Sequence, residues 1–229
     1  MKLNREKIRR GWIAMKTVLF LTGDYWHHSD TIEPLKKLMF PEDQWRVTFT
    51  EDPRELFRMD TEPDLIVSFK DPIENDQIPT PIWCDEAWTE KLFALAKENG
   101  TGILFAHAAV TDLEPDHPIV REMIRAVFTG HPQQCPVSLK PVKDHPILSG
   151  VSAFTFPDND EHYMMSMLED SETEIIAQTE SVNGIQPGLW VSKCGKAEIC
   201  CITPGHTTGN LTCEAYLQIL KNAAAWCCR

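Results

Sequence analysis

Three histidines follow three short apolar runs: His27 within Gly23-Asp24-Tyr25-Trp26-His27-His28-Ser29, His107 directly after Gly102–Ala106, and His206 within Thr203-Pro204-Gly205-His206. Imidazole is an acid, a base or a metal ligand near neutral pH, and a neighbouring carboxylate orients it and raises its basicity. If the three runs are parallel strands of one sheet, their carboxyl ends share an edge and the histidines converge there. His107 is the best general-base candidate on this pattern. His27 and His206 are then electrophiles, or all three histidines are ligands of a divalent metal such as zinc.

Carboxylates and aromatics supply the rest of a candidate pocket. Asp160 and Glu161, in Asp158-Asn159-Asp160-Glu161-His162-Tyr163, are placed to bind hydroxyls or to orient a histidine, with Tyr163 beside them. His131, in Phe128-Thr129-Gly130-His131-Pro132, is a further substrate-binding candidate. Trp26 and Trp190 offer flat faces that suit the C–H faces of a sugar. Trp45, Trp88 and Trp226 are read as core, and His117 and His145, each in Asp-His-Pro, as turn residues.

Several chemistries are absent. There is no Gly-x-Gly-x-x-Gly and no phosphate-loop lysine, so no nucleotide cofactor is expected. No Gly-x-Ser-x-Gly marks a serine nucleophile. No Cys-x-x-Cys occurs among the eight cysteines, and no helical His-x-x-x-His pair is present. The thiols are expected to be reduced, with alternation sending Cys200 and Cys201 to opposite faces.

The elements that must position these residues are legible as periodicity. Strands are expected at Thr17 to Leu21, Val47 to Thr50, Leu65 to Phe69, Gly102 to Ala106, Glu174 to Gln178 and Ala197 to Ile202. One helix is expected to be capped by Asp30, with Leu35, Leu38 and Met39 on its apolar face. A second runs from about Asp85 to Glu98 and stops at Asn99-Gly100. A third carries Ile119, Met123, Ile124 and Val127, and a closing helix spans Thr212 to Trp226. Between the third helix and the later strands, Pro132, Pro136, Pro141, Pro146 and Pro157 mark short strands and turns. The expected fold is α/β, a doubly wound, mainly parallel sheet between helices, with an irregular insertion.

The chain has 229 residues, 42% of them apolar, and a net charge of −12. It is long enough for one sizeable core, and residues 16–229 are read as a single domain behind an N-terminal extension of residues 1–15. The acidic balance argues against nucleic acid or an anionic membrane as partner. The apolar run Val18 to Leu21 is too short for a signal peptide or a membrane span, so a cytoplasmic location is expected. A homo-oligomer is left open.

The order of Gly23 to His27, Gly102-Ile103-Leu104-Phe105-Ala106-His107-Ala108-Ala109, Phe128 to Pro132, Asp144-His145-Pro146-Ile147, Asp160 to Tyr163, Trp190 and Gly205-His206 resembles the ThuA-like, trehalose-utilisation family. The resemblance runs from about residue 16 to the C-terminus. It implies a flavodoxin-like sandwich of the class I glutamine amidotransferase type that lacks the catalytic cysteine of those enzymes. Here His107, Ala108 and Ala109 occupy that turn, so thiolate-based glutamine hydrolysis has no nucleophile there. The resemblance further implies a role in the catabolism of trehalose and related disaccharides, with a keto-sugar as a candidate substrate. The alternative is a non-catalytic module that keeps the fold and binds a sugar or a protein.

Overall fold

The computed structural model describes residues 15–73, 82–169 and 173–229. The N-terminal extension, apart from Met15, lies outside the described residues. Strands β1 (Lys16–Leu21), β2 (Trp45–Thr50), β3 (Leu65–Ser68) and β4 (Gly102–Ala106) alternate with helices α1 (Ser29–Met39) and α2 (Glu86–Ala94). Then come β5 (Ala126–Gly130), β6 (Ser138–Pro141), β7 (Phe154–Thr155), β8 (Met164–Met167), β9 (Glu174–Ser181), β10 (Gly184–Cys194) and β11 (Ala197–Ile202). The short α3 (Thr208–Thr212) and α4 (Glu214–Cys227) close the described chain.

One nine-stranded sheet has the order β2-β1-β3-β4-β11-β10-β9-β6-β7. The pairs from β2 to β11 are parallel, and those from β11 to β7 are antiparallel. The parallel part follows flavodoxin-like winding, in which strand order reverses beside β1 and opens a crevice at the carboxyl ends of the strands.

The central strands are apolar throughout because both of their faces are covered. Val18 and Phe20 of β1 join Leu104, Cys200 and Ile202 in one core with Ile32 and Leu35 of α1 and Tyr216, Ile219 and Leu220 of α4. Leu19 and Leu21 turn the other way, into a second core with Ile103, Phe105, Ile199 and Cys201 and with Trp88 and Leu92 of α2. Cys200 and Cys201 therefore occupy opposite faces, as the period of two requires.

Three expectations shift. The N-cap of α1 is His28, not Asp30, which lies in the first turn. The expected third helix is a single π turn, Val120–Ile124, ended by Arg125 at φ 62°, so Val127 lies in β5 instead. The closing helix begins at Glu214, after the separate turn of α3. The proline-punctuated region is ordered: β5 pairs with β8 in a two-stranded ribbon, and β6, β7 and β9 extend the main sheet. The expected stop of the second helix holds, because Gly100 takes φ 75° after a terminal π turn.

Candidate active site

His27, His107 and His206 meet, and Glu161 joins them. One donor atom from each of the four lies within 4.8 Å of the others. His107 Nε2 stands 3.2 Å from His206 Nδ1 and 3.5 Å from Glu161 Oε2, and His206 Nδ1 stands 3.3 Å from the same oxygen. The His27 ring centre is 4.8 Å from that of His107 and 5.1 Å from that of His206.

Each side chain is aimed by local structure. His107 opens the tight turn after β4 at φ 50°, a region that non-glycine residues enter at a cost and that recurs at functional sites. Its Nδ1 lies 2.9 Å from Thr203 O, a carbonyl that can only accept; Nδ1 therefore carries a proton, and Nε2 is the nitrogen that faces the cluster. His27 Nδ1 lies 2.9 Å from Asp24 Oδ1, which also accepts the His27 and Trp26 amides. His27 Nε2 is buried and has no hydrogen-bond partner. His206 is held through its backbone: Asp160, fully buried, accepts the N–H groups of Gly205 and His206 and the amide of Asn210. The same carboxylate accepts the Glu161 amide, tying the acidic pair to the loop after β11.

The electrostatics follow. Burial alone would raise Glu161, but its hydrogen bonds with His107 and His206, and their charge, hold it well below the usual carboxylate range. His206 is raised, chiefly by its bond to Glu161. His27 is lowered, first by burial and then by the neighbouring imidazoles, despite Asp24. A neutral His27 is the form that ligates a metal.

The cluster opens into a pocket of about 310 Å³ lined by Trp26, Phe128, Tyr163 and His131, with Asp71, Thr111 and Asp112 on its wall. Tyr163 stacks on His107 at 4.7 Å and places its hydroxyl 3.1 Å from Nε2. His131 Nε2 lies 3.8 Å from Glu161 Oε1.

Two candidates go elsewhere. Trp190 is fully buried in the second core, its Nε1 donating to Ile124 O at 2.6 Å, so it has no face for a ligand. Asp160 has no exposed oxygen to offer a hydroxyl and acts on the site only by fixing the backbone at His206 and Glu161. His117 and His145 are turn residues as read, each accepting a backbone N–H two residues on. Asp24, Asp71, Thr111 and Asp112 were missed. Asp71 follows the end of β3, so the rule that singled out His107 applied to it equally.

A doubly wound α/β domain of the class I glutamine amidotransferase-like type, with histidines and a carboxylate at its strand ends and no cysteine lining the pocket, defines the class. The chain belongs to the ThuA family, described as trehalose utilisation, whose profile matches residues 17–227. It therefore has a role related to trehalose utilisation.

Solved structures agree on the fold. A ThuA-like protein from Parabacteroides merdae superposes with a TM-score of 0.71 at 16% identity, over 93% of this chain and 90% of that one. A cytoplasmic protein from Salmonella typhimurium LT2 gives 0.63 at 11%, over 92% and 99%. PurLQS from Thermotoga maritima gives 0.63 at 9%, over 93% and 99%. No curated protein sequence matches significantly. No helix among the described residues is long and apolar enough to cross a membrane.

Proposed function

We propose that the chain is an enzyme that acts on a sugar or keto-sugar of disaccharide catabolism, with His27, His107, His206 and Glu161 holding a divalent cation such as zinc. One observation carries this reading: the separations of 3.2, 3.3 and 3.5 Å among His107 Nε2, His206 Nδ1 and Glu161 Oε2. Donors bound tetrahedrally at about 2.0–2.1 Å sit about 3.3 Å from one another, so these three atoms already outline one face of a metal polyhedron. The orphaned Nε2 of His27 would be the fourth donor.

Thr203 O and Asp24 support the reading as partners of the outer imidazole nitrogens, which is how metal-bound histidines are oriented. His107 then serves as a ligand, not as the free base expected from its place after the strand. A cation held there would polarise a carbonyl or hydroxyl oxygen of the sugar as a fifth ligand, and Trp26, Phe128 and Tyr163 would pack against the sugar's C–H faces. A pocket of this size suits about one sugar ring. Glutamine hydrolysis is not part of the reading, since no thiol stands at the turn after β4. All eight cysteines are unpaired, which fits a cytoplasmic setting.

The test is metal analysis of the purified protein together with an assay on 3-keto-trehalose and related keto-glycosides, with His107→Ala as control. About one equivalent of metal and a turnover lost in the variant are expected. A metal-free protein that rebinds none, or turnover unchanged in His107→Ala, overturns the assignment. Calorimetric binding of trehalose with no turnover of any of these sugars points to a binding module instead.

A further inference from the structure

Asp71 sits just beyond β3, buried at 4% exposure, on the wall of the same pocket. Its Oδ1 accepts the Ile73 amide at 2.7 Å, and its Oδ2 lies 2.9 Å from Thr111 Oγ1. Thr111 Oγ1 in turn lies 2.7 Å from Ala108 O. A hydroxyl has one proton, and a carbonyl has none to give. If Asp71 is ionised, the hydroxyl can donate to the carboxylate or to the carbonyl, which also accepts the Thr111 amide, and its lone pairs face the other oxygen at hydrogen-bond distance. A carboxylic acid removes the conflict: Asp71 donates to Thr111, and Thr111 donates to Ala108.

The surroundings favour the same state. Asp24, from the loop after β1, accepts the Asp71 amide at 2.9 Å, and Asp112, beside Thr111, is a second acidic neighbour. Lys70 directs its ammonium to Gly23 O. Among the described residues, His27, Glu161, His131, His206 and Tyr163 are the other titratable groups lining the pocket, and burial raises the Tyr163 phenol well above its usual value. Burial first, then the charges of Asp112 and Asp24, push the Asp71 carboxyl up to about 8, against the Ile73 amide and the bond that Thr111 would give the ionised form.

We propose that Asp71 is the proton donor of this pocket, a neutral carboxylic acid that gives its Oδ2 proton to an oxygen of the bound sugar; the donor role rests on the sugar-enzyme reading above. In that step the Asp71 O–H bond breaks and leaves its electron pair on the carboxylate. A lone pair of the sugar oxygen forms the new O–H bond, and its bond to carbon is polarised but not broken in this step. Thr111 turns its hydroxyl to the carboxylate it has just uncovered, and solvent water returns the proton. The cation would bind the sugar and Asp71 would neutralise the charge that develops, which divides the work between two walls of one cavity.

Asp71→Asn is the informative variant, because an amide at this position can donate to Thr111 and accept from Ile73 as the acid does, yet holds no transferable proton. It is expected to melt with the wild type, to keep its metal content, and to lose about 10²–10⁴-fold in kcat on a keto-glycoside that the wild type turns over. Turnover within threefold of wild type overturns the proposal. Infrared spectroscopy supplies a readout that needs no substrate: a neutral-carboxyl band at pH 7, shifted by ¹³C-aspartate labelling and lost in Asp71→Asn. Labelling reads the band even if the variant does not fold, and its absence overturns the proposal. If the wild type leaves every keto-glycoside unchanged, the sugar reading falls, and the neutral acid at Asp71 stands or falls on the infrared band alone.

Discussion

Asp24 Oδ1 lies 2.9 Å from His27 Nδ1, and this contact decides which imidazole nitrogen faces the cluster. The carboxylate keeps the proton on Nδ1 and leaves the buried Nε2 as a free donor atom. Burial would raise Asp24, but the bond to His27 holds it below its ordinary value, so it stays ionised and able to do this.

Asp24→Asn keeps an oxygen for the Trp26 and His27 amides but removes the charge. Zinc affinity, measured by competition with a chelator, is expected to fall about 10–100-fold, as for other partners that orient a metal-bound histidine. An unchanged affinity would show that His27 is aimed by something else.

Asp160 is a buried carboxylate satisfied by four N–H donors, from Gly205, His206, Asn210 and Glu161. Asp160→Ala leaves those donors without partners and is expected to cost on the order of 3 kcal/mol or more in urea unfolding. Metal binding should weaken with it, because both His206 and Glu161 lose their anchor. Asp160→Asn should fall between the two.

Trp190→Phe should separate core from pocket. The lost indole N–H strands the Ile124 carbonyl in the second core, a cost of about 1–3 kcal/mol. Sugar affinity, titrated by calorimetry, should not change. A selective loss of sugar binding at unchanged stability would return Trp190 to the ligand site.

Stability should depend on pH through Asp71. Its carboxyl rises from 3.8 to about 8 on folding, so between those values the folded chain holds a proton that the unfolded chain has released. The slope of unfolding free energy with pH is therefore negative, the Asp71 contribution falling by at most about 1.4 kcal/mol per pH unit and levelling off above about pH 8. Urea midpoints of wild type and Asp71→Asn across this range should diverge as pH rises. Parallel curves would mean that Asp71 is ionised throughout.

The parallel strands were legible because both faces of each are covered, which turns them into short unbroken apolar runs such as Val18 to Leu21. Strand β10 was not. It carries Pro187 and Gly188, pairs with a register shift at that point, and is exposed at its start, so no run or alternation marks it. In sequence Trp190 therefore reads as a residue ahead of the late strand with a flat face to offer, and not as part of a buried strand. The π turn after Pro118 reads as a longer helix in sequence, since only the pairing of Ala126–Gly130 with Met164–Met167 pulls Val127 into a strand.

For the site, the sequence alone determined that His27, His107 and His206 stand at strand ends, because strand length and burial are written in the local run of residues. It could not decide that Glu161 completes the group, that Asp160 serves the backbone, or that Asp71 shares a proton with Thr111. Those contacts join residues 40 to 54 positions apart, and nothing local encodes which lone pair will face which proton once the sheet is wound. Only the closed fold, by removing water and bringing Thr111 to Asp71 and Glu161 to His107, made that choice.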